Sequence, residues 1–354
     1  MPPNSPKARP VTIKDVAQLA GVHSSTVSRA LNPATRSMVA QGLAASILQA
    51  AQKLGYQPDH LAASLRTGRS QLVGVLLPDI ANPVFAPILS GITERLIEDG
   101  YSTIVADAGP GSPSATALLD GLIAHRVDGL ILATAAREDT LVGRCLERDV
   151  PVVLVNRAEA QPRVSAVVSD DMRGMQLAVD HLAALGHCKI GHIAGPPTLS
   201  TGLLRLRGFE AAIRDHSTSL EGFSQNATAY SREAGAEAAS KLLAAAPQIT
   251  GIVAANDLLA LGAYDALRDR GLHCPDDVSV VGHNDMPLMD LVAPALTTVR
   301  IEHRAMGREA ADLLFQRMRR DDIPTRMVML TPRLVIRGST SAPHQDSRPA
   351  PLRE

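Results

Sequence analysis

The stretch TIKDVAQLAGVHSSTVSRALN, from Thr12 to Asn32, decides the fold of the N-terminal part of the chain. Thr12 is suited to cap a helix, and Asp15 places a negative charge near the positive end of the helix dipole. The apolar residues of this first helix recur at helical spacing: Ile13, Val16, Ala17 and Ala20. Gly21-Val22 then predicts a tight turn, so the stretch predicts two helices joined as a helix-turn-helix.

The second helix of this stretch is short and is predicted to begin at Ser24. Val27 and Leu31 are expected to pack against the first helix. The side chains left facing outward are three hydroxyls and one cation, with no acid among them: Ser24, Ser25, Ser28 and Arg29. Such a face suits insertion into the major groove of DNA, whereas an ordinary αα-hairpin with a polar face is the alternative.

Charge favours a nucleic-acid partner for the N-terminal part only. The 354 residues carry a net charge of −1, but residues 1–70 hold eight Lys and Arg against two Asp and Glu. The rest of the chain holds 27 against 34, so a basic head of +6 precedes an acidic body of −7. The length is sufficient for two or three domains with substantial cores.

The sequence indicates no membrane segment, disulfide framework or metal site. It contains no apolar run of about 18 residues. Residues 1–10, MPPNSPKARP, lack the apolar core of a signal peptide and are predicted to be a disordered arm. The cysteines are odd in number and scattered: Cys145, Cys188 and Cys274. We therefore expect a cytoplasmic protein without a cofactor or metal.

From Leu72 onward, apolar runs alternate with helical segments. The run LVGVLL at Leu72–Leu77 is typical of a parallel strand that is buried on both faces. The rhythm restarts near residue 172, which predicts a doubly wound α/β core with two lobes. Ligands bind at the carboxyl ends of strands in such sheets, hence in the cleft between the lobes. Residues 339–354, rich in proline and polar residues, are predicted to be a disordered tail.

Several phrases resemble the lactose-repressor/galactose-repressor family of bacterial transcription regulators. They are TIKDVAQLAGV, STVSRALN, LRTGRS, PDIANPVF, RVDGLIL, HLAALGH, RLRGF, AANDLLALGA, PDDVSVVGHND and PALTTVRIE, spread over residues 11–340. The resemblance implies a helix-turn-helix headpiece at 11–58, a hinge helix or linker at 59–70 and a core at 71–338 that is similar to periplasmic binding proteins. The implied lobe 1 is 71–168 with 299–328, and the implied lobe 2 is 169–298 with 329–338.

The resemblance also implies a set of DNA contacts in the headpiece and the hinge. In the hinge, Leu65 matches a leucine that wedges between base pairs in the minor groove, and Arg66 is placed for a phosphate. A plain linker helix between domains is the alternative there. The implied DNA-binding residues are Thr12, His23, Ser24, Ser25, Thr26, Ser28, Arg29, Asn32, Leu65 and Arg66.

Two features of the headpiece depart from the family. The third helix, predicted over Ala40–Leu54, begins with VAQGLAA and lacks the hydroxyl cap and basic residue that relatives place against phosphate. Its apolar stripe is predicted to be Leu43, Ile47, Ala50, Ala51 and Leu54. His23 stands where the family commonly has Ser, and it is a weak or pH-dependent donor to phosphate. The missing phosphate contacts predict weaker DNA binding with a flatter salt dependence.

In the cleft, the resemblance implies a site for a small effector. Arg205 matches an arginine that binds effector hydroxyls or carboxylates, and Tyr230 matches an aromatic residue that stacks on the ligand. The alternatives are a solvated helix position for Arg205, core packing for the aromatic residues and a helix N-cap for Asn256. The implied effector-binding residues are Phe85, Asn156, Arg205, Tyr230, Asn256 and Asn284.

Asn156 and Asn284 stand where many relatives have aspartate. Replacing two acids by amides would leave the guanidinium of Arg205 available for a ligand carboxylate, while the amides could still bind hydroxyls. We therefore expect a sugar acid as effector, with neutral sugars as the alternative.

No catalytic motif is present: a phosphate loop, a GxGxxG after the first strand and a GxSxG elbow are all missing. We expect a homodimeric regulator that binds double-stranded operator DNA, most consistent with a repressor, and not an enzyme. Effector binding is expected to twist or close the lobes and thereby change the spacing of the two headpieces. A ligand-binding receptor protein without a DNA function is the alternative, against which the basic headpiece counts.

Overall fold

The computed structural model describes residues 11–32, 35–56, 68–109, 115–216, 219–319 and 323–344. Contacts within the chain divide it into two units, residues 1–70 and residues 71–354. The predicted arm at 1–10 and hinge residues 59–67, which include Leu65 and Arg66, lie outside the described residues. Within the described ranges, no helix is long and apolar enough to cross a membrane.

The described part of the first unit contains three α-helices around a small apolar core. They are α1 (Ile13–Leu19), α2 (Ser24–Leu31) and α3 (Gln41–Leu54). Val16, Val27 and Ile47 meet in this core and are fully buried. Gly21 follows α1 with a left-handed φ of +66°, which a side chain would strain, and it opens the turn into α2. The predicted helix-turn-helix is confirmed.

The apolar stripe of α3 differs from the prediction by one residue. Leu43 is 37 % exposed, whereas Ala44 is 5 % exposed and packs in the core with Ile47. Residues three and four positions before Ile47 can both share its helix face. Contact with the other two helices selects Ala44, so the prediction for Leu43 is wrong.

The second unit contains two six-stranded sheets, and each sheet with its helices forms one lobe. In lobe 1 the strands are β1 (Leu72–Leu77), β2 (Ser102–Asp107), β3 (Gly129–Leu132), β4 (Val152–Val155), β5 (Ala166–Ser169) and β11 (Met327–Leu330), in the order β11-β5-β4-β3-β1-β2. In lobe 2 they are β6 (Lys189–Ala194), β7 (Glu221–Asn226), β8 (Gly251–Ala254), β9 (Ser279–Asn284), β10 (Thr297–Arg300) and β12 (Arg333–Val335), in the order β12-β10-β9-β8-β6-β7. Within the described sheets only β10 and β12 pair antiparallel.

Helices cover both faces of each sheet, as the continuous apolar strand β1 predicts. In lobe 1 they are α4 (Phe85–Glu98), α5 (Ala115–Ala124), α6 (Thr140–Glu147) and α11 (His303–Arg319). Val73 packs with Ile88 of α4, whereas Leu76 packs with Leu119 of α5 on the opposite face. In lobe 2 they are α7 (Asp171–Ala184) and α8 (Ser200–Asp215) on one face, with α9 (Arg232–Ala245) and α10 (Asp257–Asp269) on the other.

The chain passes between the lobes at three places. The strands that precede these crossings are β5, β10 and β11, which end at Ser169, Arg300 and Leu330. The implied boundaries were residues 168, 298 and 328, so the structure places each crossing one or two residues later. The carboxyl ends of the parallel strands of both sheets therefore flank the crossings, where a ligand cleft is expected.

The predicted start of the disordered tail, residue 339, is too early in the chain. Ser339 is fully buried, and its hydroxyl accepts a hydrogen bond from the Thr297 N–H over 2.8 Å while donating to the Val280 carbonyl. His187 Nε2 lies 2.9 Å from the carbonyl oxygen of Ser341. These polar contacts to lobe 2 order residues whose composition offers little apolar burial. Residues 345–354 lie outside the described part of the chain.

Candidate functional site

The start of each helix in the predicted helix-turn-helix is capped by its own sequence. Thr12 donates from its hydroxyl and its backbone N–H to Asp15 Oδ2, both over 2.7 Å. His23 caps α2, because its Nδ1 accepts from the Ser25 N–H over 3.3 Å and lies 2.9 Å from Ser25 Oγ. Because Nδ1 acts as an acceptor, the ring proton is on Nε2. The exposed His23 can therefore donate a hydrogen bond from Nε2.

The outer face of α2 carries the side chains that the sequence predicts for DNA. Ser25 and Arg29 are exposed, and Asn32 is exposed directly after the helix. Ser24, Thr26 and Ser28 are half-buried, while Val27 and Ala30 are buried against the other helices. The structure thus brings Ser25 and Arg29 together on one accessible surface.

Two residues that the sequence reasoning missed close the end of α2. Thr35 donates its hydroxyl to the Arg29 carbonyl over 3.0 Å, and Arg36 Nε donates to the Ala30 carbonyl over 2.9 Å. They satisfy carbonyl groups that the end of a helix leaves without partners. The signal that could have found them is a basic residue shortly after a predicted helix end.

The start of α3 lacks a side-chain cap in the structure, as the sequence predicts. Ala40 occupies the N-cap position and provides no side-chain hydrogen bond. Gln41 and Ala45 are exposed, but Ala44 is buried in the core. A basic side chain that reaches a phosphate from this helix would therefore have to stand at an exposed position, such as Gln41 or Ala45, and not at Ala44.

In the second unit, the carboxyl ends of β6, β8 and β9 meet at one edge of the lobe 2 sheet. Arg205, in the second turn of α8, lies over this edge and is 2 % exposed. Its Nε donates to Asp171 Oδ1 over 2.8 Å, Nη1 donates to the Ala255 carbonyl over 2.5 Å, and Nη2 donates to Asn284 Oδ1 over 3.3 Å. The structure thus joins Arg205 to Asn284 and to the backbone beside Asn256.

Asp171 contradicts the expectation that the guanidinium of Arg205 is available for a ligand carboxylate. This buried acid pairs with Arg205 although Asn156 and Asn284 are uncharged. Burial lowers the pKa of Arg205, but Asp171, Tyr230 and Asp257 more than offset it, so the pKa is raised and Arg205 stays charged. Three of its five N–H groups already have a partner.

Asn256 and Asn284 have structural partners of their own. Asn256 Oδ1 accepts from the Leu259 N–H over 2.9 Å, so the N-cap alternative for Asn256 is observed. Asn284 has a left-handed φ of +108°, and the turn after it is fixed by Asp257. Asp257 accepts from the Met286 N–H over 2.7 Å and from Thr298 Oγ1 over 2.5 Å. Burial raises the pKa of Asp257 to about 7.

The two predicted aromatic residues lie in different surroundings. Tyr230 is half-buried, donates its hydroxyl to Thr201 Oγ1 over 3.2 Å and lies against Gly195, where any Cβ would meet its ring. Phe85, in contrast, is 2 % exposed at the start of α4 and belongs to the hydrophobic core. Its position fits the core-packing alternative.

On the lobe 1 side, Asn156 and Arg157 follow β4. Asn156 has a left-handed φ of +66° and lines a crevice of about 380 Å³ beside Ser169, Met172 and Ser200, which we term the lateral crevice. Arg157 was missed by the sequence reasoning, although a charged residue two positions after the apolar run VVLV was a usable signal. Its Nε is buried without a hydrogen-bond partner, and burial lowers the pKa of Arg157.

Two histidines of lobe 2, His192 and His283, lie near Arg205. His192 stacks on Phe209 with ring centroids 4.8 Å apart, and His283 Nε2 is 3.6 Å from Asp171 Oδ1. Burial lowers the pKa of His192 to about 4 and holds the pKa of His283 well below its usual range, so both rings are neutral at pH 7. Across the described ranges no group of three His, Cys, Asp or Glu residues could hold a metal ion.

Family profiles match parts of both units. A family profile described as bacterial regulatory proteins, lacI family, matches residues 12–59, and a periplasmic binding protein-like domain profile matches residues 179–340. The chain is 35 % identical to the HTH-type transcriptional regulator MalR of Streptomyces coelicolor, over 95 % of this chain and 99 % of that protein.

Solved structures are similar over nearly the whole chain. A lac repressor dimer bound to operator and the anti-inducer ONPF is 28 % identical, with a TM-score of 0.81 over 94 % of this chain and 100 % of that one. A complex of the transcriptional regulator CelR with cellobiose is 30 % identical, with a TM-score of 0.70 and the same coverage.

Proposed function

This chain belongs to the lacI family of bacterial regulatory proteins, and on that premise we propose that it represses transcription as a homodimer controlled by a sugar or sugar acid. It is a DNA-binding transcriptional regulator, as the headpiece match and the similar proteins show. What is proposed is the direction of regulation, the effector and the residues that bind each partner.

One observation carries the effector part of the proposal. Arg205, Asp171, Asn256 and Asn284 form a buried polar cluster at the carboxyl ends of parallel strands, beside the crossings between the lobes. Amides and a guanidinium at such an edge suit a ligand that carries several hydroxyl groups. The similar CelR structure contains cellobiose, which supports a saccharide-type effector here.

The DNA part of the proposal is carried by the accessible surface of α2. Ser25 and Arg29 are exposed on one face, and His23 and Asn32 flank the helix at its two ends. We assign operator contacts to the predicted set in the headpiece, with Arg29 reading a base edge or a phosphate. Leu65 and Arg66 are proposed minor-groove contacts from the family resemblance alone.

The homodimer is supported by exposed apolar side chains on the core. Leu288 and Leu291, on the loop that follows β9, are 65 % and 74 % exposed, and Ile97 at the end of α4 is 63 % exposed. A contiguous exposed apolar patch is typical of a subunit contact, and Leu288 and Leu291 lie three residues apart on one loop. Analytical ultracentrifugation should give a dimer at micromolar concentration, and a monomer there would contradict the proposal.

The experiment that tests the DNA function is Arg29→Ala in a binding titration with the DNA upstream of the chain's own gene. We expect a loss of about 1–3 kcal/mol on operator DNA if Arg29 reads a guanine edge, and a smaller loss on random DNA. Lys53→Ala is the matched control, since Lys53 is exposed at the far end of α3 and should change operator affinity little.

Operator binding with added ligand, together with in vitro transcription, separates repression from the alternatives. A sugar or sugar acid that binds the core should change operator affinity in the parent protein, and in vitro transcription with the operator present should fall when the protein is added. Equal binding of parent and Arg29→Ala to operator would remove Arg29 from the interface. A chain that binds ligands but no DNA at low salt would instead be the receptor-type protein.

A further inference from the structure

Buried polar atoms without a partner lie along one edge of lobe 1. Thr134 Oγ1, Arg157 Nε and Ser169 Oγ each lack a hydrogen-bond partner within the part of the chain that the structure describes. Thr134 and Arg157 follow β3 and β4, and Ser169 is the last residue of β5. These strands are parallel neighbours, so their carboxyl ends meet at one edge. Because a buried polar atom without a partner is costly, this edge is suited to receive a polar group.

The same edge faces the arginine of the other lobe. The Ala158 N–H donates to Ser200 Oγ over 3.1 Å, which holds the segment around Arg157 against the start of α8. Arg205 lies in the second turn of that helix. The charge of Arg157 influences both Arg205 and Tyr230, which indicates that these side chains lie near one another where the two lobes meet.

The charged groups near Arg157 and Arg205 are not all paired. Asp171 pairs with Arg205, and Glu159, close to Arg157 in sequence, pairs with Arg163. Among the described residues Arg157 has no ion pair of its own. Asp257 adds only a partial negative charge at pH 7, since burial raises its pKa to about 7, and His192 and His283 are neutral. Arg157 is thus the cation of this described set that no acid pairs with.

We propose that the effector carries a single carboxylate that Arg157 binds from lobe 1, while the Arg205 cluster binds hydroxyl groups from lobe 2. This inference rests on the proposed function and names the chemical class of its effector. A guanidinium binds a carboxylate through two parallel hydrogen bonds, which are stronger than neutral ones. One cation without a paired acid suits a monoanion rather than a phosphate dianion. The hydroxyls of Thr134 and Ser169 then gain partners on the ligand.

Isothermal titration of the full chain with matched pairs tests this inference. The pairs are gluconate beside glucose and galacturonate beside galactose at one ionic strength, with glucose 6-phosphate as the phosphate arm. We expect the acid of at least one pair to bind about 10–100-fold more tightly than its neutral partner. Arg157→Gln should remove that preference and leave the neutral affinity, and Arg157→Lys should keep part of it.

Arg137→Gln is the matched comparison, because it removes the same charge from the lateral crevice, which shares Ser169 with this edge. It should keep the preference for the acid. If it removes the preference instead, the anion lies in the lateral crevice and the assignment to Arg157 is overturned. Thermal unfolding of each variant checks that the core is intact.

The remaining outcomes separate the inference from the proposed function. Equal or tighter binding of the neutral member of every pair overturns the carboxylate and leaves a sugar effector standing. If glucose 6-phosphate binds most tightly of all probes and Arg157→Gln loses this binding, the proposal of a monoanionic effector is overturned. Binding of no probe of any class, by a protein that still binds its operator, overturns both the inference and the effector part of the proposed function.

Discussion

The two lobes present opposite kinds of surface to the cleft between them. In lobe 2, Arg205, Asp171, Asn256 and Asn284 are bonded to one another or to the backbone before any ligand arrives. In lobe 1, the side chains at the corresponding edge include buried atoms of Arg157, Thr134 and Ser169 that have no partner among the described residues. The charged and amide groups of the Arg205 cluster are bonded in advance, although ring nitrogens of the neighbouring His192 and His283 also lack partners, whereas Arg157 of lobe 1 has no ion pair among the described residues.

This difference assigns the two faces different parts in binding. A network that is satisfied in advance loses little conformational freedom when a ligand docks, so lobe 2 orients the ligand at low entropic cost. An unpaired guanidinium gains most from a ligand that approaches it, so lobe 1 supplies the driving force for closure. A ligand that bridges both faces therefore favours the closed arrangement of the lobes, which is the coupling that a regulator needs.

The largest effect is expected from breaking the Arg205 cluster at Asp171. Asp171→Ala leaves Arg205 charged and buried without its acid, and removal of one partner of a buried pair costs about 3–5 kcal/mol. Urea unfolding of the core, followed by far-ultraviolet circular dichroism, measures this loss. Glu237→Ala, in the exposed pair with Lys241, is the control and should change stability little. Equal losses in the two variants would show that the Arg205 cluster does not stabilise lobe 2.

A second effect is a pH dependence that originates in Asp257. Its pKa in the folded protein is about 7, above the ordinary value of 3.8, because the carboxyl is buried. The stability that this group contributes is full below about pH 4 and is lost as the pH rises through 7. Each unit of pKa shift corresponds to about 1.4 kcal/mol. We expect Asp257→Asn, which can still accept from Met286 N–H and donate to Thr298 Oγ1, to remove this fall in unfolding free energy.

Asp265 is the matched control on the neighbouring surface of the same helix. Its pKa is lowered by the hydrogen bond from Arg232, so its contribution is present above the ordinary pKa and is lost as the pH falls. Asp265→Asn should therefore lower the unfolding free energy by a constant amount from pH 5 to 8, without changing the pH dependence there, and should remove the fall in stability near pH 3 to 4. An unchanged pH profile for Asp257→Asn would mean that Asp257 titrates normally in the folded chain.

The sequence was most informative where the deciding contacts are local. The caps at Thr12 and the turn at Gly21 act over three or four residues, and the apolar run of β1 identifies a buried strand by itself. The choice between Leu43 and Ala44 depends on packing between helices, so the pattern of α3 alone did not settle it. The strand β7, with the sequence EGFSQN, has no apolar run and could not be recognised by pattern.

The cleft shows the opposite case. Arg205 was found by its resemblance, but its partners Asp171 and Asn284 lie 34 and 79 residues away in sequence. Which acid pairs with which arginine is decided by the folded sheet, so replacing two aspartates by asparagines was not sufficient to predict an available guanidinium. The missing partner of Arg157 is likewise a property of the assembled edge and not of the phrase LVNRA.

The smallest effect, and the sharpest test of the contrast between the lobes, concerns the stability of the protein without effector. Arg157→Met removes a partly buried charge that has no ion pair in the described chain and keeps the apolar length of the side chain. We expect it to stabilise the core by about 1 kcal/mol, since the charge is costly to desolvate and nothing offsets it. Thermal unfolding at pH 7 without sugars measures this gain.

Arg163→Met is the control for that gain, because it makes the same change in the same lobe at an arginine that is paired. Arg163 Nε donates to Glu159 Oε1 over 3.1 Å, and Nη2 donates to the Asp139 carbonyl over 2.6 Å. Its loss leaves the buried carboxylate of Glu159 without a cation and should destabilise the core. A gain of stability in Arg157→Met together with a loss in Arg163→Met would mark Arg157 as a residue kept for a ligand, because removal of a structural arginine destabilises the core. Destabilisation by both variants would place Arg157 among the structural residues and remove the difference between the two faces.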